Sequence, residues 1–132
     1  MSMQDLTADM LTRLRNAVRN GAKSVKVVNN KLNRGVAQVL KDEGYITDFA
    51  VEEDGPRTTL NVSLRYGPRG ERLINRLDRV SRPGCRVYAK CDELPSPIDG
   101  LGISIVSTSS GIMSNRRALD AKVGGEVVAV VY

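Results

Sequence analysis

Leu101-Gly102-Ile103-Ser104-Ile105-Val106 runs directly into Ser107-Thr108-Ser109-Ser110-Gly111 and then into Ile112-Met113-Ser114-Asn115-Arg116-Arg117-Ala118-Leu119. The first block is apolar, rich in β-branched residues and short, which predicts a strand over 101–106. The second reads as a polar loop, and the third as a short helix over 112–119. Gly124-Gly125 then turns the chain into a last buried strand, 126–131. Before the quoted stretch, Asp92-Glu93-Leu94-Pro95-Ser96-Pro97 is a rigid loop and 85–89 a strand. In 73–80, Leu73, Leu77 and Val80 would suit a helix. The short length and the turn Ser81-Arg82-Pro83-Gly84 favour a strand with an irregular entry. The second half is therefore mostly antiparallel sheet.

The first half has a different rhythm. Leu6, Met10, Leu14 and Val18 recur every four positions and predict an amphipathic helix over 4–19, ended by Asn20-Gly21. Asp5, Asp9 and Arg13 form an i,i+4 ladder with the acids early, where the helix dipole prefers them. A strand over 24–28 follows. Asn30 then reads as the N-cap of a helix over 31–43, with Leu32, Val36, Val39 and Leu40 inward and Gly44 as its stop. Two strands, 45–53 and 58–66, flank Asp54-Gly55-Pro56-Arg57. Leu60, Val62 and Leu64 alternate with Asn61, Ser63 and Arg65, so one face of that hairpin is buried. The order is helix, strand, helix, strand, strand. Gly67-Pro68-Arg69-Gly70 is the best linker between the halves. It also matches a Gly-x-x-Gly phosphate clamp, but that clamp joins two helices, whereas this turn follows a strand.

Composition limits the chemistry. The 132 residues contain no histidine, which removes the Ser-His-Asp triad, the Cys-His pair, a His general base and His-ligated zinc. Position 107 is Ser where a Gly-x-Ser-x-Gly elbow needs Gly, and no phosphate-binding P-loop occurs. A Ser-Lys dyad with Lys90 or Lys122 is compatible with the sequence, but nothing points to it, and the chain reads as no enzyme. Cys85 and Cys91 lack the partners of a metal site and read as ordinary thiols of a reducing compartment. Met1 to Leu11 carries Asp5 and Asp9 without an apolar run and reads as no signal peptide. The longest apolar stretch, 127–132, is far short of a membrane-spanning helix. No metal, cofactor, membrane or small-molecule substrate is implied.

Lys and Arg outnumber Asp and Glu by 20 to 15, a net charge of +5 that favours an anionic partner. Residues 1–66 hold ten basic and eight acidic side chains, and residues 67–132 hold ten and seven, so a nucleic-acid surface must be assembled by folding. With five aromatic residues and no Trp, a stacking platform for single strands is not expected. The densest polar group is Ser107-Thr108-Ser109-Ser110-Gly111. Its hydroxyls both donate and accept, and a following helix start with Arg116 and Arg117 nearby would favour an oxyanion. That suits RNA phosphates and 2′-hydroxyls. The same residues also suit a solvated turn in which Ser110 or a neighbour caps the helix. The series Arg65, Arg69, Arg72, Arg76, Arg79, Arg82, Arg86 and Lys90 has helical spacing, but the intervening Pro and Gly residues forbid one helix, leaving a dispersed basic surface. Within it, Arg82, Arg86 and Lys90 flank Tyr88, a ring that suits either a ribose or base contact or a half-buried core position.

The block Gly100 to Asn115 resembles the signature of the small-subunit ribosomal protein family number eight. The opening Met1 to Asp5 with Ala8 to Asn16, then 40–46, 79–84, 92–95 and 124–126, resemble further blocks of that family in order. The resemblance implies an α+β fold of two small lobes. One, 1–66, is an α/β unit with two helices on a three-stranded sheet. The other, 67–132, is an antiparallel sheet with a short helix. It implies a cytoplasmic constituent of the small (30S) subunit that binds the central domain of 16S rRNA beside neighbouring ribosomal proteins. By the same resemblance Ser107, Thr108 and Ser109 contact RNA, and Gly111 lets the backbone approach. Tyr88 and Glu126 match further contacts in the second lobe. Arg15, Asn16, Asn30 and Lys31 match phosphate-facing positions of the first. Ser110, Arg86, Lys90, Arg116 and Arg117 are secondary candidates. Three departures stand out: Ser110 where many bacterial members carry Lys or Arg, Leu6 where Pro is common, and Arg116-Arg117-Ala118 in place of an Ala-Arg order. The other reading is a free regulatory module that binds an mRNA or an acidic protein through the same loop. Because the candidate side chains hardly titrate between pH 6 and 8, RNA affinity of the chain should be flat across that window when measured at constant salt, and a tenfold change would contradict the assignment.

Overall fold

The computed structural model describes residues 5–132; the expected helix start at residue 4 lies outside the described residues. The chain divides into two compact units, Leu6–Ile74 and Asn75–Tyr132. It is an α+β fold with one antiparallel sheet in each unit.

In the first unit α1 (Leu6–Arg19) and α2 (Lys31–Asp42) accompany the strands β1 (Ser24–Val28), β2 (Ile46–Asp54) and β3 (Arg57–Leu64), in sheet order β1-β3-β2. The four-residue period of α1 buries Met10, Leu14 and Val18, with Leu11 and Ala17 widening the stripe. From α2 come Val36, Val39 and Leu40, and from the sheet Val27, Ile46, Leu60, Val62 and Leu64. Asn30 caps α2 by accepting a hydrogen bond from the Asn33 N–H at 2.8 Å. Asn33 itself is fully buried. It accepts from the Thr7 hydroxyl at 3.0 Å and donates to the Val28 carbonyl at 2.9 Å, so one amide ties both helices to β1. Residues 67–70 form a turn in which the Gly70 N–H donates to the Gly67 carbonyl, and the Arg72 guanidinium donates to the Arg19 carbonyl at the end of α1.

The second unit holds β4 (Leu77–Arg79), β5 (Tyr88–Ala89), β6 (Ile103–Thr108), β7 (Gly111–Ser114), α3 (Asn115–Ala121) and β8 (Gly125–Val131). Its sheet order is β4-β8-β6-β7, with β5 also paired to β8, so β8 is bonded to three other strands. The core is Leu77, Ile103, Ile105, Val106, Ala118, Val127, Val128, Ala129 and Val131. The irregular entry to β4 is held by the Tyr132 carbonyl, which accepts from the N–H groups of both Asn75 and Arg76.

Two expected elements differ. Of 85–89 only Tyr88 and Ala89 are strand, because Arg82 and Cys85 exchange backbone hydrogen bonds across a turn. The helix expected over 112–119 is a strand to Ser114 followed by a helix from Asn115. Ile112 and Met113 pair with Ser107 and Val106, which satisfies the backbone as sheet. Ser114 is the N-cap, its hydroxyl accepting from the Arg117 N–H at 3.3 Å.

Candidate functional site

The register of the second sheet draws Tyr88, Glu126, Ser107 and Ile112 into one row. Tyr88 is opposite Glu126, Glu126 opposite Ser107, and Ser107 opposite Ile112. Directly opposed residues share a face, so these four side chains stand side by side on strands β5, β8, β6 and β7, over a span of about 14 Å. Tyr88 is 70% exposed, whereas the neighbouring pair Val106 and Val127 is buried. The row therefore lies on the face away from the core.

Glycine makes this row possible. A Cβ on Gly125 would lie 2.1 Å from the Ser107 carbonyl oxygen, and one on Gly124 would lie 2.5 Å from that of Ala89. Only an unsubstituted backbone lets β8 enter between β5 and β6 so closely that Glu126, the next residue, stands between Tyr88 and Ser107.

The polar loop is tighter than expected. Thr108 pairs with Gly111, leaving Ser109 and Ser110 as a two-residue hairpin turn. The positive φ that the turn needs falls on Gly111 (φ 116°), so both serines keep ordinary backbone conformations. The Thr108 hydroxyl donates to the Gly111 carbonyl at 2.7 Å and accepts from the Ser110 N–H at 3.1 Å, fastening the turn from within. Its proton is committed, whereas Ser109 and Ser110 are exposed. Because α3 begins at Asn115, the serine turn does not sit on a helix N-terminus, and the expected oxyanion site at a helix start is absent there. The cap is Ser114, not Ser110.

Behind Tyr88 lies a group that sequence reading did not single out. Ser81 is fully buried. Its hydroxyl donates to Oε2 of Glu126 and accepts from the Val87 N–H at 3.1 Å. The same Oε2 accepts from Nη1 of Arg86 at 3.0 Å. Burial works to raise the Glu126 pKa, but the Ser81 hydrogen bond, the hydrogen bond and charge of Arg86 and the charge of Arg79 together outweigh it and hold the carboxyl below its ordinary 4.5. Arg79, expected on the surface, has a side chain only 9% exposed and donates to the Val128 carbonyl. The only sequence signal for Ser81 was its place beside the Pro83-Gly84 turn.

The remaining candidates are dispersed. Lys90 is exposed. Arg116 donates to the Gly100 carbonyl, and Arg117 is exposed on α3. In the first unit, Arg15 and Asn16 are exposed on α1, with Arg15 donating to the Thr12 hydroxyl at 3.1 Å. Asn30 spends its side-chain oxygen on the α2 cap, and Lys31 is exposed beside it. Cys85 and Cys91 are free thiols.

A family model described as ribosomal protein S8 matches residues 5–132. The chain is 51% identical over 132 residues to the small ribosomal subunit protein uS8 of Bifidobacterium animalis subsp. lactis, covering 100% of both chains. It is 52% identical over 131 residues to the uS8 protein of Methylobacillus flagellatus, covering 99% of each.

Two outcomes follow from this geometry. Thr108→Ala removes both turn hydrogen bonds and should cost about 1–2 kcal/mol in urea unfolding, whereas Ser109→Ala should stay within about 0.5 kcal/mol of wild type. Equal values would remove the fastening role of Thr108. For Glu126 the folded pKa is the lower one, so its contribution to stability is present above the unfolded value and is lost as pH falls through the folded value. Stability measured from pH 6 downward should fall less steeply below the ordinary 4.5 in Glu126→Gln than in wild type; parallel acid limbs would contradict this.

Proposed function

The chain belongs to the ribosomal protein S8 family, and on that premise we propose that this structural, non-enzymatic constituent of the small ribosomal subunit binds the central domain of 16S rRNA through the exposed row of its second lobe. Ribosomal proteins of the cytoplasmic small subunit associate with rRNA and with one another. The finer reading concerns where and how this chain touches RNA.

The observation that carries it is the cross-strand row of Tyr88, Glu126 and Ser107, with the serine turn at its end. An A-form RNA minor groove is wide and shallow and displays 2′-hydroxyls beside base edges. A row of side chains across one sheet face suits that shape. Ser107 and Ser109 offer hydroxyls that both donate and accept, matching the 2′-hydroxyl. The exposed Tyr88 ring presents an apolar body to a ribose or base. Glu126 still has Oε1 without a hydrogen bond among the described residues, an acceptor for a base amino group or a 2′-hydroxyl. Arg86 and Lys90 beside Tyr88 supply phosphate contacts, and Arg15 and Lys31 supply others from the first lobe. Phosphate contacts position the protein, while the row discriminates by shape and hydrogen bonding. Thr108 contributes by holding the turn, leaving its remaining lone pair to RNA.

The test is binding of the full chain to a 16S central-domain transcript. Ser107→Ala with Ser109→Ala should weaken binding on the order of 10- to 100-fold without loss of folding. Log affinity should fall with log salt at roughly 0.7–0.9 per neutralised phosphate. Wild-type affinity in the folded double variant would overturn the site. Failure of the chain to stay with salt-washed small subunits, while still binding an mRNA or an acidic protein, would favour a free regulatory module.

A further inference from the structure

We propose that Ser81 is a positioning residue for RNA binding, which through Glu126 and the Val87 backbone sets Tyr88 and Arg86 in the RNA-facing row. This inference rests on the RNA reading of that row. Ser81 is fully buried and cannot touch RNA itself, so any effect on binding passes through its partners.

The need for such a residue follows from the length of β5. A strand of two residues contributes too few ladder bonds to hold an exposed ring in place. The chain from β4 to β5 also passes through the Arg82 to Cys85 turn, where only two reciprocal backbone bonds hold it. Ser81 closes the neck of that excursion. Its N–H donates to the Val127 carbonyl at 3.1 Å, and the Val127 N–H donates to the Val87 carbonyl at 2.9 Å. Its hydroxyl accepts from the Val87 N–H at 3.1 Å. Residue 87 is thus held from both of its backbone polar groups, and Tyr88 leaves from a fixed point.

The hydroxyl proton does the second task. Oε2 of Glu126 receives two donors, the buried Ser81 hydroxyl and the half-exposed Arg86 guanidinium at 3.0 Å. A phosphate arriving at the surface competes for Arg86. When Arg86 turns outward, Ser81 remains on Oε2. It keeps the carboxylate from following the guanidinium and offsets part of the negative charge that would otherwise face RNA. Ser81 thereby lets Arg86 exchange partners without disturbing Glu126 or Tyr88.

A double-mutant cycle on the full chain separates positioning from simple support of the fold. Ser81→Ala, Tyr88→Ala and the double variant are titrated with the 16S central-domain transcript, and thermal melts confirm that each is folded. Ser81→Ala should weaken binding about tenfold in the Tyr88 protein and roughly threefold in the Tyr88→Ala background, where only the loss through Glu126 and Arg86 remains, within the coupling range of residues that share a hydrogen-bond network. Should Ser81→Ala not fold, Ser81→Cys fills the same space with a weak donor and runs the same cycle. An equal loss in both backgrounds, or no loss in either, would overturn the positioning role while leaving the RNA row intact. Indifference of RNA affinity to Tyr88→Ala and to the Ser107 and Ser109 substitutions would sink the RNA reading, and this inference with it.

Discussion

At the entry of β8 into the second sheet, backbone meets backbone with no room for a side chain. A Cβ on Gly125 would overlap the Ser107 carbonyl, and one on Gly124 would overlap that of Ala89. From this approach the rest of the face follows. Because β8 pairs with β4, β5 and β6, its position sets their relative registers. Glu126 is the first side chain after the two glycines, so it alone fills the gap between Tyr88 and Ser107. A β8 displaced by one residue would turn Glu126 into the core and Val127 outward, exchanging a polar face for an apolar one.

The face so formed divides its polar groups between holding and presenting. Thr108, Ser81 and Ser114 spend their hydroxyls inside the protein, on the hairpin turn, on the neck below Tyr88 and on the α3 cap. Ser109 and Ser110 remain exposed, and Ser107 is half-buried in the row. Identical chemical groups take opposite roles according to whether a backbone partner lies within reach. Counting hydroxyls along the chain therefore overstates the number available to a ligand, and the internal bonds make those that remain rigid.

Much of the first lobe was legible in the sequence. The four-residue period of Met10, Leu14 and Val18, the Asn30 cap and the alternation of Leu60, Val62 and Leu64 are local signals, and local physics decides them. In the second lobe the decisive contacts are distant in sequence. Ile112 and Met113 are as compatible with a helix as with a strand until β6 is beside them, so strand won by pairing. Ser110 or a neighbour was the natural cap for a helix over 112–119, and that role passed to Ser114 once the strand ran on to that residue. Ser81 left almost no trace, since a buried serine that bridges Val87 and Glu126 is visible only once the fold has closed a sequence separation of 45 and brought β8 back. Of the site, the resemblance supplied Tyr88, Glu126 and the serines as separate positions; their union in one row is a property of the register.

Glu126 raises a question of charge, since an anion on the surface proposed to meet RNA should repel it. Its environment answers in part. Net stabilisation of the charged form by Ser81, Arg86 and Arg79 means that the carboxylate reaches the surface already partnered, while Arg79 is shared with Asp5 at 3.3 Å. Such a cluster presents a directional acceptor at Oε1 with little free negative field. A fully basic surface would bind any phosphate backbone with similar strength, and its affinity would carry little information about the RNA beneath it. On the proposed RNA reading, placing an anchored acceptor between a tyrosine and a serine sacrifices some electrostatic attraction and adds a geometric demand, which an RNA with a donor at that point satisfies. The modest +5 of the whole chain is consistent with that balance, in which shape and hydrogen bonding decide between RNAs that charge alone would treat alike.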